Sequence, residues 1–195
     1  MKTDIVLAGV GGQGILSIAT VIGLAAVNNN LNIKQAEVHG MSQRGGAVYS
    51  HLRMSDQPIA SDLIPVGKAD LILSVEPMEA LRYVPYLKPG GWVVANTQPF
   101  INIGNYPDYQ SLIAQLNALQ NCVLVDADTL ASECGSTKAS NMVMLGAAVP
   151  FFNLGVDEME KAIVSIFERK GEDVVAMNIR ALQAGYGFAK KSLEN

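Results

Sequence analysis

Cysteine is scarce in this chain: two in 195 residues, Cys122 and Cys134. Two thiols cannot build a disulfide scaffold, and their spacing fits no zinc motif. A four-thiolate iron–sulfur cluster needs more ligands than the chain owns. Basic charge is short as well. Fourteen Lys and Arg stand against eighteen Asp and Glu, a net charge of −4. No positive field is available to hold a nucleic-acid backbone. No run approaches the ~20 apolar residues of a membrane span. The first residues, Met1-Lys2-Thr3-Asp4, enter a strand pattern directly, without the layout of a signal peptide. The expectation is a reduced, soluble, cytoplasmic protein that takes no nucleic acid, no membrane and no metal of its own. Both cysteines read as unreactive, with Cys122 in a buried strand.

What is present is apolar mass. Hydrophobic residues make up 49% of the chain, ample for one domain over 1–195 with a layered core. Thr3–Ala8 is a strand-type apolar run. Gln13–Asn28 has a helical period, with Ile15, Leu16, Ile18, Ala19, Ile22 and Ala26 near one face, and Asn28 to Asn30 end it. Asn32–Val38 is a second strand, giving a βαβ unit with a right-handed crossover. Ala47–Met54 alternates and reads as an antiparallel strand at the sheet edge. Asp70–Val75, Gly91–Asn96 and Cys122–Asp126 are further strands. Pro77–Tyr86 and Tyr109–Leu119 are helices between them. From Asp128, a candidate N-cap, the pattern is helical: Ser140–Phe152 nearly all apolar and buried, Val156–Lys170 amphipathic and stopped by Gly171, and Val174–Leu193 last. The fold class is α/β: a Rossmann-like open, mostly parallel sheet with an antiparallel edge hairpin and a helical C-terminal part.

Gly9-Val10-Gly11-Gly12-Gln13-Gly14 fits G-x-G-x-x-G, follows a strand and opens a helix. Glycine permits the tight turn and close approach of an anion, and the helix start offers unpaired N–H groups and partial positive charge. Gly9, Gly11, Gly12, Gln13 and Gly14 are therefore candidate ligand residues. A turn that is glycine only for helix–sheet packing is the other reading. Glu37 stands about 20 residues further on, where a nicotinamide-binding domain holds its ribose hydroxyls. Yet Glu37 opens a dense polar phrase, EVHGMSQRGG, that a ribose clamp does not require.

That phrase follows the second strand as the glycine turn follows the first, so both loops face the crevice at the carboxyl ends of the strands. Ser42, Gln43 and Arg44 supply hydroxyl, amide and guanidinium donors, while Gly45 and Gly46 let backbone come close. Such an Arg suits phosphate or carboxylate. A solvated hairpin turn is the alternative.

AGVGGQGI (Ala8–Ile15) and AEVHGMSQRGG (Ala36–Gly46) together resemble the gamma-type subunit of the 2-oxoacid:ferredoxin oxidoreductases, most of all the small beta subunit of the indolepyruvate enzymes. Asp62–Pro99, the Tyr106-Pro107 step and ASNMVMLGA (Ala139–Ala147) agree in order, and the likeness thins after about Pro150. The resemblance implies a subunit working in a heteromer. A larger partner would carry thiamine diphosphate, magnesium and the iron–sulfur clusters, ferredoxin would take the electrons, and coenzyme A would accept the acyl group. It also implies that this chain lies against the thiamine site and helps bind coenzyme A, a diphosphate ligand. The chain agrees by its lack of a GDG phrase and of cluster cysteines. It departs at Gly135-Ser136-Thr137-Lys138, where the family often has an Asn-Pro-Arg-like phrase. Lys138 there is either a retained positive charge or a solvated lysine before a helix.

No catalytic residue is identified. His39 is a candidate contact for substrate or partner, and His51 reads as an edge-strand histidine. Glu76 and Glu79 point to the crevice, facing a partner or opening a solvated helix. Two other functions stay open: a stand-alone NAD-dependent Rossmann oxidoreductase, and a non-catalytic assembly subunit. The first lacks an evident acid–base pair at telling spacing. A methyltransferase, suggested only by Leu87-Lys88-Pro89-Gly90-Gly91, lacks the acidic residue before its glycines.

Overall fold

The computed structural model describes residues 1–39, 46–101 and 103–194. Six strands form one sheet: β1 (Lys2–Val10), β2 (Asn32–His39), β3 (Ala47–Ser55), β4 (Ala69–Ser74), β5 (Leu87–Asn96) and β6 (Cys122–Val125), in the order β2-β3-β1-β4-β5-β6. β1, β4, β5 and β6 are parallel, and β3 is antiparallel to both β1 and β2.

The antiparallel hairpin at the edge is present, but its order differs from expectation. β2 is outermost, and β3 lies inside between β2 and β1. The polar residues His51 and Arg53 suggested an edge strand with one solvated face. Both are buried. Arg53 is neutralised by Asp4, with Nε to Oδ1 at 2.8 Å, and donates to the Ser61 and Leu63 carbonyls at 2.9 Å each. The Ile64 N–H donates to His51 Nδ1 at 2.8 Å. These bonds hold the 56–68 segment as a strap over the face of β3.

Helices cover both faces. α1 (Ile15–Asn28), α4 (Ala127–Glu133), α5 (Ser140–Ala148), α6 (Val156–Phe167) and α7 (Glu172–Glu194) pack on the face carrying Ile5, Leu7, Leu71 and Leu73. α2 (Pro77–Tyr83) and α3 (Tyr109–Asn117) pack with the strap on the face carrying Val6, Ala8 and Ile72. Strand residues buried on both faces explain the unbroken apolar runs of β1 and β4. The helix at 77–86 ends as a 3₁₀ turn over Val84–Tyr86, and α5 likewise gives way to one at Val149–Phe151. The N-cap of α4 is Asp126, whose carboxylate accepts from the Thr129 N–H at 3.1 Å; Asp128, expected in that role, lies within the first turn. Capping follows the backbone's entry into the helix, and the strand ends at Val125, one residue before its expected bound at Asp126.

α5 and α7 cross closely. A Cβ on Gly146 would fall 1.9 Å from the Leu182 carbonyl oxygen, and one on Gly185 would fall 1.9 Å from that of Val143. Only hydrogen atoms fit between these backbones.

Candidate functional site

The carboxyl ends of β1, β4 and β5 share one rim, and the glycine turn lies on it. Its glycines have different reasons to be glycine. Gly9 is still in β1, and a Cβ there would lie 2.4 Å from Val75 Cγ2. Gly9 is small for packing. Gly12 has φ +101° and, among the described residues, nothing within 4 Å of a would-be Cβ. Its need is conformational, since left-handed backbone disfavours side chains. Gly14 meets both conditions, with φ +82° and Asn141 Nδ2 only 2.5 Å from the Cβ position.

The turn is braced from within. The Gly11 N–H donates to the Gly46 carbonyl at 2.9 Å, which brings the end of the second loop against the first. Gln13 Oε1 accepts from the Val10 N–H at 2.8 Å, and its Nε2 donates to the Val75 carbonyl at 3.3 Å. Gln13, a candidate ligand residue, thus uses its amide to hold the turn. Among the described residues the N–H groups of Gly12, Gly14 and Ile15 meet no acceptor. Neither α1 nor α5 has a side-chain cap or an acidic residue in its first turn. Ser42, Gln43, Arg44 and Gly45 lie outside the described residues, as does the side chain of His39, which ends β2.

Hydrogen bonds continue along the rim. The Val75 carbonyl also takes Asn96 Nδ2 at 3.4 Å, and Asn96 Oδ1 accepts from the Ala127 N–H at 3.1 Å. Glu76 and Glu79, expected at a solvated helix start or facing a partner, are both buried, at 0% and 1% exposure. Glu76 caps α2 through the Glu79 N–H at 2.8 Å and accepts from the Phe100 N–H and the Tyr106 hydroxyl. The Tyr106 hydroxyl is pushed to higher pKa by burial and by this carboxylate. Burial also raises Glu79, against the opposing pull of Arg82 bonded to it at 2.9 Å. No sequence signal separated these carboxylates from solvated ones, because their donors come from residues as far as 30 positions away.

Glu37 sits one strand too far for a ribose clamp. β3 lies between β2 and β1, so Glu37 stands two strand spacings, ~9.6 Å, from the strand of the glycine turn. In a dinucleotide-binding sheet the two strands are neighbours. His51 is buried inside the sheet, not an edge residue. Burial and Arg53 lower its pKa. Lys138 is exposed in a single turn before α5. Burial lifts the Cys122 thiol to about 11, in keeping with an unreactive thiol. Among the described residues no His, Cys, Asp and Glu group can hold a metal ion, and no helix is long and apolar enough to cross a membrane.

A mixed sheet with the glycine turn on its rim, bonded there to Gly46, recurs in a known protein family. The chain belongs to the pyruvate ferredoxin/flavodoxin oxidoreductase family, which it matches over residues 4–188. Within that family it is 37% identical to the indolepyruvate oxidoreductase subunit IorB of Archaeoglobus fulgidus, over 97% of this chain and 96% of that one. It is also similar to the gamma subunit of a keto/oxoacid ferredoxin oxidoreductase from Geobacter sulfurreducens, with TM-score 0.71, 25% identity, and 97% and 99% of the two chains covered. The 2-oxoglutarate:ferredoxin oxidoreductase of Magnetococcus marinus, solved with 2-oxoglutarate, coenzyme A and succinyl-CoA bound, shares the fold. The TM-score is 0.77 at 23% identity; the match covers 97% of this chain but only 31% of that longer one.

Proposed function

We propose that this chain is the small subunit of a 2-oxoacid:ferredoxin oxidoreductase that acts on arylpyruvates such as indolepyruvate in the cytoplasm, and that its glycine turn helps hold coenzyme A. The observation that carries the ligand reading is the N–H set of Gly12, Gly14 and Ile15 at the start of α1, which meets no acceptor among the described residues. Backbone donors at a helix N-terminus suit a diphosphate. Gly46, bonded to Gly11, directly follows Ser42 to Gly45 in the sequence, the donors expected to share this ligand. The substrate class follows from the likeness to the indolepyruvate subunit, which runs nearly end to end.

This chain does not fit the other cofactors of such a reaction. It has two cysteines and, among the described residues, no metal-ligand cluster. Thiamine diphosphate, magnesium and the iron–sulfur clusters belong to a larger subunit, which passes electrons to ferredoxin. Coenzyme A supplies the thiol that takes the acyl group. The contribution of this chain is to bind and orient that co-substrate and to close the crevice against water. A stand-alone NAD enzyme is disfavoured by the insertion of β3 between the glycine turn and Glu37.

The test is reconstitution. The isolated chain is expected to be colourless and inactive. Co-expressed with its larger subunit, it should support reduction of a viologen dye by arylpyruvate and coenzyme A. Turnover of NADH by the isolated chain would overturn this function. Arg44→Ala should raise the KM for coenzyme A; loss of assembly with that KM unchanged would instead make the chain a purely structural subunit.

A further inference from the structure

Asn141, far from the glycine turn in sequence, is packed directly against it. It lies in the first turn of α5, and its side chain occupies the space beside Gly14. A Cβ on Gly14 would lie 2.5, 3.1 and 3.3 Å from its Nδ2, Cγ and Cβ. Nδ2 donates to the Gly14 carbonyl at 3.3 Å, across 127 residues of sequence. The same carbonyl accepts from the Ser17 N–H at 3.0 Å and the Ile18 N–H at 3.2 Å. Three donors therefore fix the direction of one C=O. That carbonyl shares a peptide plane with the Ile15 N–H, and in a trans peptide the two point in opposite directions. Holding the Gly14 oxygen toward α5 and the body of α1 turns the Ile15 N–H outward. This is one of the donors with no acceptor among the described residues.

We propose that Asn141 is the positioning residue of the coenzyme A site: it locks the Gly14–Ile15 peptide so that the Ile15 N–H faces the diphosphate. The inference rests on the coenzyme A reading of the turn and adds the device that keeps the cradle open. It also explains why position 14 is glycine, since any side chain would displace the amide. A carboxylate at 141 could not donate to the Gly14 oxygen and would place negative charge beside the anion.

The experiment uses the complex of this chain with its larger subunit. Asn141→Ala should raise the KM for coenzyme A about tenfold, the scale of one hydrogen bond to a charged group, with kcat unchanged. Asn141→Asp preserves shape and serves if the alanine variant does not accumulate. It should raise that KM further, and added salt should recover part of the loss. Pantetheine, which lacks the diphosphate, should serve both variants as well as it serves wild type. A KM for coenzyme A within about twofold of wild type, or an equal rise for pantetheine, overturns the assignment. Arg44→Ala and Gly12→Ala separate the two levels. If they raise the KM and Asn141→Ala does not, only the role of Asn141 falls. If they too leave it unmoved, the coenzyme A reading of the turn falls, and this inference with it.

Discussion

Glycines at two places in this molecule answer to different demands. Gly146 and Gly185 lie where α5 and α7 cross, and a Cβ on either would fall 1.9 Å from a carbonyl oxygen. Gly12 and Gly14 lie at the sheet rim with φ of +101° and +82°. At Gly12 a Cβ would meet nothing among the described residues. The first pair is glycine because something is there. Gly12 is glycine because of its backbone angle. Glycines at a crossing fix where helices sit; glycines at a rim fix which way N–H groups point.

The strongest way to break that comparison is at the crossing. Gly146→Ala or Gly185→Ala should cost about 3 kcal/mol or more, because backbones must separate. Thermal unfolding should show a midpoint lowered by roughly 6–12 °C for a domain of this size. An unchanged midpoint would mean that the helices do not approach as described. Gly12→Ala should behave differently. Its left-handed angle costs about 1–2 kcal/mol, a smaller loss of midpoint, while the KM for coenzyme A in the complex rises with it. Should Gly12→Ala unfold the protein as readily as Gly146→Ala, the distinction fails.

Smaller effects sharpen the picture of the rim and of the strap. Tyr106→Phe removes one donor from the buried Glu76 and should cost about 1 kcal/mol, read by urea unfolding. The effect of His51 is smaller still and depends on pH. Its pKa is lowered in the fold by burial and by Arg53, so the unfolded chain binds the proton more readily. Its contribution to stability is present above the unfolded value of about 6.5 and is lost as pH falls through the folded value. His51→Gln, which keeps an acceptor for the Ile64 N–H, should flatten the decline of the thermal midpoint between about pH 7 and 5. A decline of wild-type steepness in the variant would assign it to other groups.

Much of the fold was legible because period and punctuation are local. The apolar runs of β1, β4 and β5, the glycine turn and the helical second half all stand where the pattern puts them. The place of β3 was not legible. Its alternating polar residues read as a solvated face, and whether they are solvated depends on Asp4, 49 residues from Arg53, and on a strap that follows the strand. The burial of Glu76 and Glu79 was hidden in the same way. For the site, the Gly11 N–H meets the Gly46 carbonyl at the start of β3, while Ser42 to Gly45 lie outside the described residues. Asn141 gave no signal beyond its place in a family phrase.

The sequence by itself determined the family, the layered α/β class and the position of the glycine turn. These rest on residue order, on periods of two and 3.6, and on glycine's backbone freedom, all short-range properties. Only the tertiary structure decided which glycines meet another helix and which owe their place to backbone angle, that β3 separates the turn from Glu37, and that Asn141 donates to the Gly14 carbonyl. Those depend on contacts between distant segments, and the distance along the chain carries no mark of them.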